Sequence, residues 1–248
     1  MLGTEHLSLG YPGRSLCREL SVNIRPGQCW GILGQNGSGK TTLLHALSGL
    51  VSPLEGKVLL DGKPVHGFSR RALARKIGLL LQEEEGGYWG TVRDYVSLGR
   101  FPHGGDGDNL LAVAMRRMEL DALAERTLAS LSGGERQRAR IALLLAQDPD
   151  IYCLDEPLLH LDLRHQAEVM HLCRQLAHDE GKAVLMVLHE PHWASRYCDH
   201  VLMLHGDGSV MTGVTGDMMT HEHLQSLYQC KLDVVGGNNQ ALFLPVGI

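Results

Sequence analysis

The sequence predicts an α/β fold: a parallel sheet with helices packed on its faces, and an all-helical lobe inserted into that sheet domain. Three observations carry this. Four short runs, CWGIL (29–33), IGLLLQ (77–82), IYCLDE (151–156) and AVLMVLH (183–189), are continuously apolar before their polar ends, as strands buried on both faces require. Helical stretches separate them, and strands alternating with helices imply parallel crossovers. Between 83 and 147 the strand-like runs stop and aliphatic residues recur at helical spacing.

Taken in order, the first thirty residues carry LSLGY and SVNIRPGQ, short apolar runs with Gly/Pro punctuation that read as strands and turns. CWGIL enters a glycine loop, and Leu43, Leu44, Ala46, Leu47 and Leu50 then mark a helix. VSPLEGKVLLDGKPV reads as a turn, a strand and a tight Asp-Gly turn, and IGLLLQ as a strand ending at Gln82. Helical spacing follows in TVRDYVSLGR, NLLAVAMRRMEL, DALAERTL and GERQRARIALLLAQ, with HGGDGDN a surface loop by composition. After the strand IYCLDE, a helix over 164–178 places Val169, Leu172, Cys173 and Leu176 on one face. The last forty residues read as a hairpin, a short helix and a terminal strand pair. No repeat or low-complexity tract is present.

The 248 residues are ample for a buried core, and 44% hydrophobic with 21% charged residues is the composition of a folded globular chain. No run approaches 18 apolar residues, so no transmembrane helix is expected, and the first residues lack the basic and apolar regions of a secretory signal, which points to the cytosol. A net charge of −5 argues against nucleic acid as the partner. Cys17, Cys29, Cys153, Cys173, Cys198 and Cys230 include no C-x-x-C pair and read as reduced, mostly buried thiols. The near-pairs His200/His205 and His221/His223 lack the ligand count and spacing of known metal sites.

Residues 34–41, GQNGSGKT, fit G-x-x-x-x-G-K-[ST] and lie between an expected strand and an expected helix. Glycines let backbone N–H groups wrap phosphates, and the helix start adds positive potential. Lys40 can reach the β- and γ-phosphates, and the Thr41 hydroxyl can ligate Mg²⁺. This alone leaves kinase, GTPase and transport ATPase open. In IYCLDE, two carboxylates emerge at the C-terminal end of a buried strand, where open α/β sheets bind ligands. Asp155 suits Mg²⁺, and Glu156 suits polarising an attacking water; a solvated acidic pair is the plain alternative. In LSGGERQ (131–137), Ser132 is a candidate N-cap, and the glycines make a second phosphate-binding helix start.

LSGGERQR, whose Ser132 lies 23 residues before Asp155, resembles the signature of the ATP-binding cassette (ABC) ATPases. The resemblance spans essentially the whole chain. It implies a P-loop NTPase fold with a RecA-like core over 1–82 and 148–205, a helical signature lobe over 83–147 and a short C-terminal extension over 206–248. It implies that Tyr11 stacks on adenine, that Gln82 senses Mg²⁺ and a membrane subunit, that Asp162 belongs to the D-loop, and that His189 contacts the γ-phosphate. Read singly, Tyr11 could be a turn aromatic, Gln82 a loop amide and His189 a strand-end histidine. The implied catalytic set is Lys40, Gln82, Glu156 and His189. ATP would lie on Tyr11, Gly34, Gln35, Asn36, Gly37, Ser38, Gly39, Lys40, Thr41 and Thr42, with Ser132, Gly133, Gly134 and Asp162 serving the nucleotide of a second copy. Mg²⁺ would take Thr41, Gln82 and Asp155. His160 and Glu190 depart from the family's commoner residues.

TVRDYVSLGRFPH (91–103) resembles a segment of the ATPases that serve importers of iron–siderophore complexes, haem and cobalamin. Locally, Thr91 caps a helix and Pro102 stops the next turn. The implied partners are a second copy of the chain in a head-to-tail ATP sandwich, an integral membrane permease dimer and, indirectly, an extracytoplasmic substrate-binding protein. The implied location is the cytoplasmic side of the bacterial plasma membrane, peripherally. Another ABC importer, or a soluble ABC ATPase such as one of iron–sulfur cluster assembly, stays open; a P-loop kinase would leave LSGGERQR unexplained. The acidic run Glu83, Glu84, Glu85 reads either as a solvated charge run or as a pairing surface for the permease.

Overall fold

A computed structural model describes residues 1–82, 88–105, 107–236 and 242–246. The run Glu83, Glu84, Glu85 lies outside the described residues.

The chain opens with β1 (Leu2–Tyr11) and β2 (Arg14–Leu20), an antiparallel hairpin, and β3 (Asn23–Ile24) returns along the start of β1. β4 (Cys29–Gly34), buried at every position, leads through the glycine loop into α1 (Lys40–Leu47). β5 (Glu55–Leu60) and β6 (Lys63–Pro64) are joined by Asp61 and Gly62, both with positive φ, as a two-residue type I′ hairpin requires. α2 (Arg70–Lys76) buries none of its residues, so apolar periodicity does not announce it in the sequence. β7 (Ile77–Leu80) ends two residues short of Gln82.

In the helical lobe, α3 (Val92–Ser97) starts with a complete Thr91–Asp94 capping box. α4 (Asp108–Arg117) follows, and α5 (Gly133–Gln147) starts with the Ser132–Glu135 capping box. DALAERTL, despite its helical spacing, forms only short 3₁₀ turns at Asp121–Leu123 and Leu128–Ser130. Pro102 does not stop its turn: it sits inside a 3₁₀ segment, Leu98–His103, that runs on to Gly104. That segment has a job the sequence does not reveal. Arg100 Nη1 donates to Ala146 O at 2.8 Å, and a His103 ring nitrogen lies 3.0 Å from Gln147 O, so its basic groups close the orphan carbonyls at the end of α5. Arg71 and Arg75 of α2 both donate to Pro102 O.

The chain continues with β8 (Ile151–Asp155), α6 (Leu163–His178), β9 (Ala183–Val187), α7 (Pro191–Tyr197), β10 (His200–Leu204), β11 (Val210–Val214), α8 (Thr215–Met218), α9 (His221–Tyr228), β12 (Leu232–Val235) and β13 (Leu242–Pro245). Val169, Leu172, Cys173 and Leu176 are all buried on α6. The main sheet has the order β11-β10-β4-β9-β8-β7, parallel except for β11, so it runs on past residue 205. Strands β1, β2, β3, β5 and β6 form a separate antiparallel sheet that the sequence pattern does not set apart, and β12 pairs with β13.

Alternate residues of the parallel strands enter two different cores. Val184 and Met186 face a core with α5, α6 and the lobe; Leu185 and Val187 face a core with α1 and the antiparallel sheet. This is why the strand runs are continuously apolar. Five cysteines are buried, Cys230 is half-buried, and all six are free thiols. His200 stacks on Trp30 with ring centroids 4.6 Å apart, while His221 and His223 bond the carbonyls of Leu232 and Met218. Among the described residues, no helix is long and apolar enough to cross a membrane, and no group of three His, Cys, Asp or Glu residues could hold a metal ion.

Candidate active site

Parallel strands put their C-terminal ends on one sheet edge, and here that edge collects the polar groups. The glycine loop leaves β4, Gln82 follows β7, Glu156 follows Asp155 at the end of β8, and His189 lies two residues past β9. The loop needs its glycines for stated reasons. A Cβ on Gly34 would lie 2.5 Å from Ser38 Oγ and 2.6 Å from Leu204 O, and Gly39, at φ 103°, takes the left-handed turn into α1. Lys40 Nζ donates to Gly34 O at 2.9 Å and Gln35 O at 3.0 Å, so its ammonium is held across the loop. Burial lowers its pKa, and the charges of Glu156 and Asp155 work against that.

The two adjacent carboxylates have opposite environments. Asp155 is fully buried, and neither of its oxygens accepts a well-formed hydrogen bond. Burial pushes its carboxyl above the ordinary range; the Thr41 hydroxyl is the largest influence against this, and Glu156 adds to it. A buried carboxylate with two orphan oxygens beside a hydroxyl is a donor set that fits a hard divalent cation. Glu156 is turned away from it by a left-handed backbone (φ 51°), and its Oε1 lies 2.7 Å from His189 Nε2.

Apart from the buried Asp155, these groups line one cleft of about 620 Å³. Tyr11, Asn36, Gly37, Gly39, Lys40, Thr41, Thr42, Gln82, Glu156 and His189 all reach it. Gly34, Gln35 and Ser38 lie in the loop beneath, with Ser38 buried. The exposed Tyr11 ring sits at the end of β1, its hydroxyl 3.5 Å from that of Thr42.

Ser132, Gly133, Gly134 and Asp162 do not line this cleft. Ser132 caps α5, and its N–H and Oγ–H both donate to Glu135 Oε2 at 2.8 Å. Those bonds hold the Glu135 carboxyl below its ordinary pKa. Gly133 and Gly134 lie against His160, which itself adopts φ 65°. Asp162 caps α6 through His165 N at 2.9 Å.

Arg14 also lines the cleft, a residue that sequence reasoning misses. Its Nη2 donates to Gly37 O at 2.6 Å. The available signal is Tyr11-Pro12-Gly13-Arg14: a Pro-Gly turn sets its first and fourth residues side by side, and Tyr11 does pair with Arg14.

The model of the family described as "ABC transporter" matches residues 17–159. The achromobactin transport ATP-binding protein CbrD of Dickeya dadantii is 35% identical over 94% of this chain and 89% of its own length. The ferric enterobactin transport ATP-binding protein FepC of Escherichia coli is 35% identical over 98% and 93%. The iron(3+)-hydroxamate import ATP-binding protein FhuC of Bacillus subtilis is 33% identical over 94% and 90%. Among solved structures, an inward-facing putative metal-chelate type ABC transporter superposes with a TM-score of 0.84 at 27% identity, covering 99% of this chain and 97% of that one. A bacterial ABC transporter cassette solved as a dimer gives 0.79 at 27% identity over 87% and 99%.

Proposed function

Because the chain belongs to the ABC transporter family, we propose that it is the ATP-hydrolysing subunit of a membrane importer, of iron-chelate, haem or cobalamin type, driven by ATP-dependent closure of two copies. One observation carries the reading. Lys40, Asp155, Glu156 and His189 meet at one sheet edge, while a second glycine-bearing helix start, at Ser132, lies outside the cleft there. Two phosphate-binding starts in one chain make sense if each serves a different nucleotide.

ATP lies along the cleft, with adenine against Tyr11 and the triphosphate in the loop of residues 34–41. Its γ-phosphate replaces the carbonyls as the partner of Lys40 Nζ. Thr41, Asp155 and Gln82 hold Mg²⁺, which supplies charge neutralisation on the phosphates. Glu156 accepts a proton from a water whose oxygen attacks the γ-phosphorus. The bond to the β,γ-bridging oxygen breaks, and ADP and phosphate leave. His189, already 2.7 Å from Glu156, orients that carboxylate and contacts the γ-phosphate. Ser132, Gly133, Gly134 and Asp162 serve the nucleotide held by Lys40 of the second copy.

We read residues 1–82 and 148–205 as the ATP-binding core, with β11 completing its sheet, 83–147 as the signature lobe and the residues after β11 as a short extension. The partners are a permease dimer and, through it, an extracytoplasmic binding protein. The place is the cytoplasmic face of the bacterial plasma membrane, held peripherally. The names of the relatives, with achromobactin, enterobactin, iron(3+)-hydroxamate and, in a Halobacterium salinarum relative 36% identical, cobalamin, support the cargo class.

The test is uptake by cells lacking the chain and complemented with wild type or Glu156→Gln. Loss of iron-chelate or cobalamin uptake, restored by wild type alone, supports the reading. Unchanged uptake of every such cargo overturns the cargo class. In vitro, Glu156→Gln should bind ATP, fail to hydrolyse it and accumulate as a dimer; turnover at the wild-type rate would remove Glu156 from the base position.

A further inference from the structure

A continuous buried polar chain joins the ends of two strands through α5. Gln137 and Arg140 lie three residues apart on one face of that helix, and both are nearly inaccessible to water. Gln137 Nε2 donates to Pro157 O at 3.0 Å and to Glu156 O at 3.4 Å. Its Oε1 accepts from Arg140 Nη1 at 2.9 Å. Arg140 Nη1 also donates to Gln82 O at 3.3 Å, and Nη2 donates to Leu81 O. The carbonyls grasped are thus those of Gln82 and Glu156 themselves and of one neighbour of each.

We infer that Gln137 and Arg140 are positioning residues that hold Glu156 and Gln82 in working register with the helix whose start is the signature. This rests on the reading of Glu156 as the base. The argument is conformational. Glu156 sits at φ 51°, a left-handed conformation that a side chain bearing a Cβ disfavours, so something outside the residue must maintain it. The Gln137 amide binds the carbonyl of that very residue and of the next. Released from it, Glu156 can return to an ordinary φ, which swings its carboxylate away from His189. Arg140 extends the same clamp to the strand end that carries Gln82. The two cleft residues therefore share one rigid support, and that support begins at Ser132, where a second copy's nucleotide would dock. Neither side chain lines the cleft, so ATP binding to the loop of residues 34–41 does not depend on them.

Gln137→Leu and Gln137→Glu on the full chain test this. Leu removes both bonds; Glu keeps the shape and an acceptor for Arg140 but cannot, when ionised, donate to the carbonyls. Both variants should lower kcat at least tenfold with KM for ATP within twofold of wild type. Both should also speed amide hydrogen exchange in the peptide covering 156–161, whose Leu159 N–H bonds Glu156 O. Arg140→Lys, which retains donors toward the strand carbonyls, should recover more than half of the activity that Arg140→Met loses. Gln137→Glu with wild-type kcat, or with unchanged exchange in 156–161, overturns the inference, as does a rise in KM matching the fall in kcat. Should the Leu variant fail to fold, the Glu variant decides. If Glu156→Gln itself retains turnover, the base reading fails instead, and the exchange experiment still reports whether the clamp exists.

Discussion

Asp155→Asn should make the protein more stable and less active. The side chain is fully buried, neither oxygen accepts a well-formed hydrogen bond, and Glu156 adds a like charge beside it. An uncompensated buried carboxylate costs several kcal/mol, whereas an unpaired neutral amide costs about 1–3 kcal/mol. The isosteric change should therefore gain about 2 kcal/mol, and a chain of this length shifts by about 2–4 °C per kcal/mol, which gives about 4–8 °C in Tm. The assay is thermal unfolding at pH 8 in EDTA, where the carboxylate is bare. Adding Mg²⁺ to the ATP complex should reverse the order. A ligand at a hundred times its Kd contributes about 2.7 kcal/mol to the species that binds it, and only the wild type keeps the carboxylate. A Tm for Asp155→Asn at or below wild type in EDTA would refute the reasoning, because it would mean that the native state satisfies this charge.

Other outcomes follow from single contacts. Arg14→Ala removes a cation that holds Gly37 O, so Kd for ATP should rise about fivefold to tenfold, about 1–1.4 kcal/mol, with kcat kept; isothermal titration checks it. Glu135→Gln removes a negative charge from the Ser132 N–H and hydroxyl while retaining an acceptor for the cap, so ATP-driven dimers trapped by Glu156→Gln should tighten, as light scattering would show. In the same variant pair, the Glu135 carboxyl has a lowered folded pKa, so its stabilisation is present above the ordinary value of 4.5 and is lost as pH falls through the folded value; the Tm gap between wild type and Glu135→Gln should narrow on acidification. Gly99→Ala places a Cβ 2.3 Å from Leu143 O and 2.9 Å from Gln147 N, so Tm should fall by on the order of 5 °C through strain at the end of α5.

The elements most legible in the chain are those whose cause is local. The loop of residues 34–41, its helix, and the capping boxes at Thr91 and Ser132 each depend on groups within a few residues, and each lies where its pattern puts it. DALAERTL fails as a helix because spacing alone does not supply the contacts that a short helix needs, and α2 escapes notice because it buries no residue fully and sets only the half-buried Leu73 against the core. The segment 99–103 looks like punctuation, yet Arg100 and His103 close the carbonyls of Ala146 and Gln147 at the end of α5, partners 46 and 44 residues further along the chain.

The cleft itself shows where local reading stops. Tyr11, Lys40, Gln82, Glu156 and His189 are spread over most of the chain, and their meeting depends on the strand order β10-β4-β9-β8-β7 and on two cores that hold the sheet between them. Arg14 joins them only because the antiparallel sheet packs against α1, and the Gln137–Arg140 clamp exists only because α5 lies across the ends of β7 and β8. Residue order alone decided which groups could bind phosphate, cap a helix or end a buried strand, since those properties come from a side chain and its near neighbours. Tertiary packing decided which of those groups face one another, how Glu156 is turned, and why Asp155 is fully buried beside the Thr41 hydroxyl, since these depend on contacts between segments whose separation in the chain carries no such information.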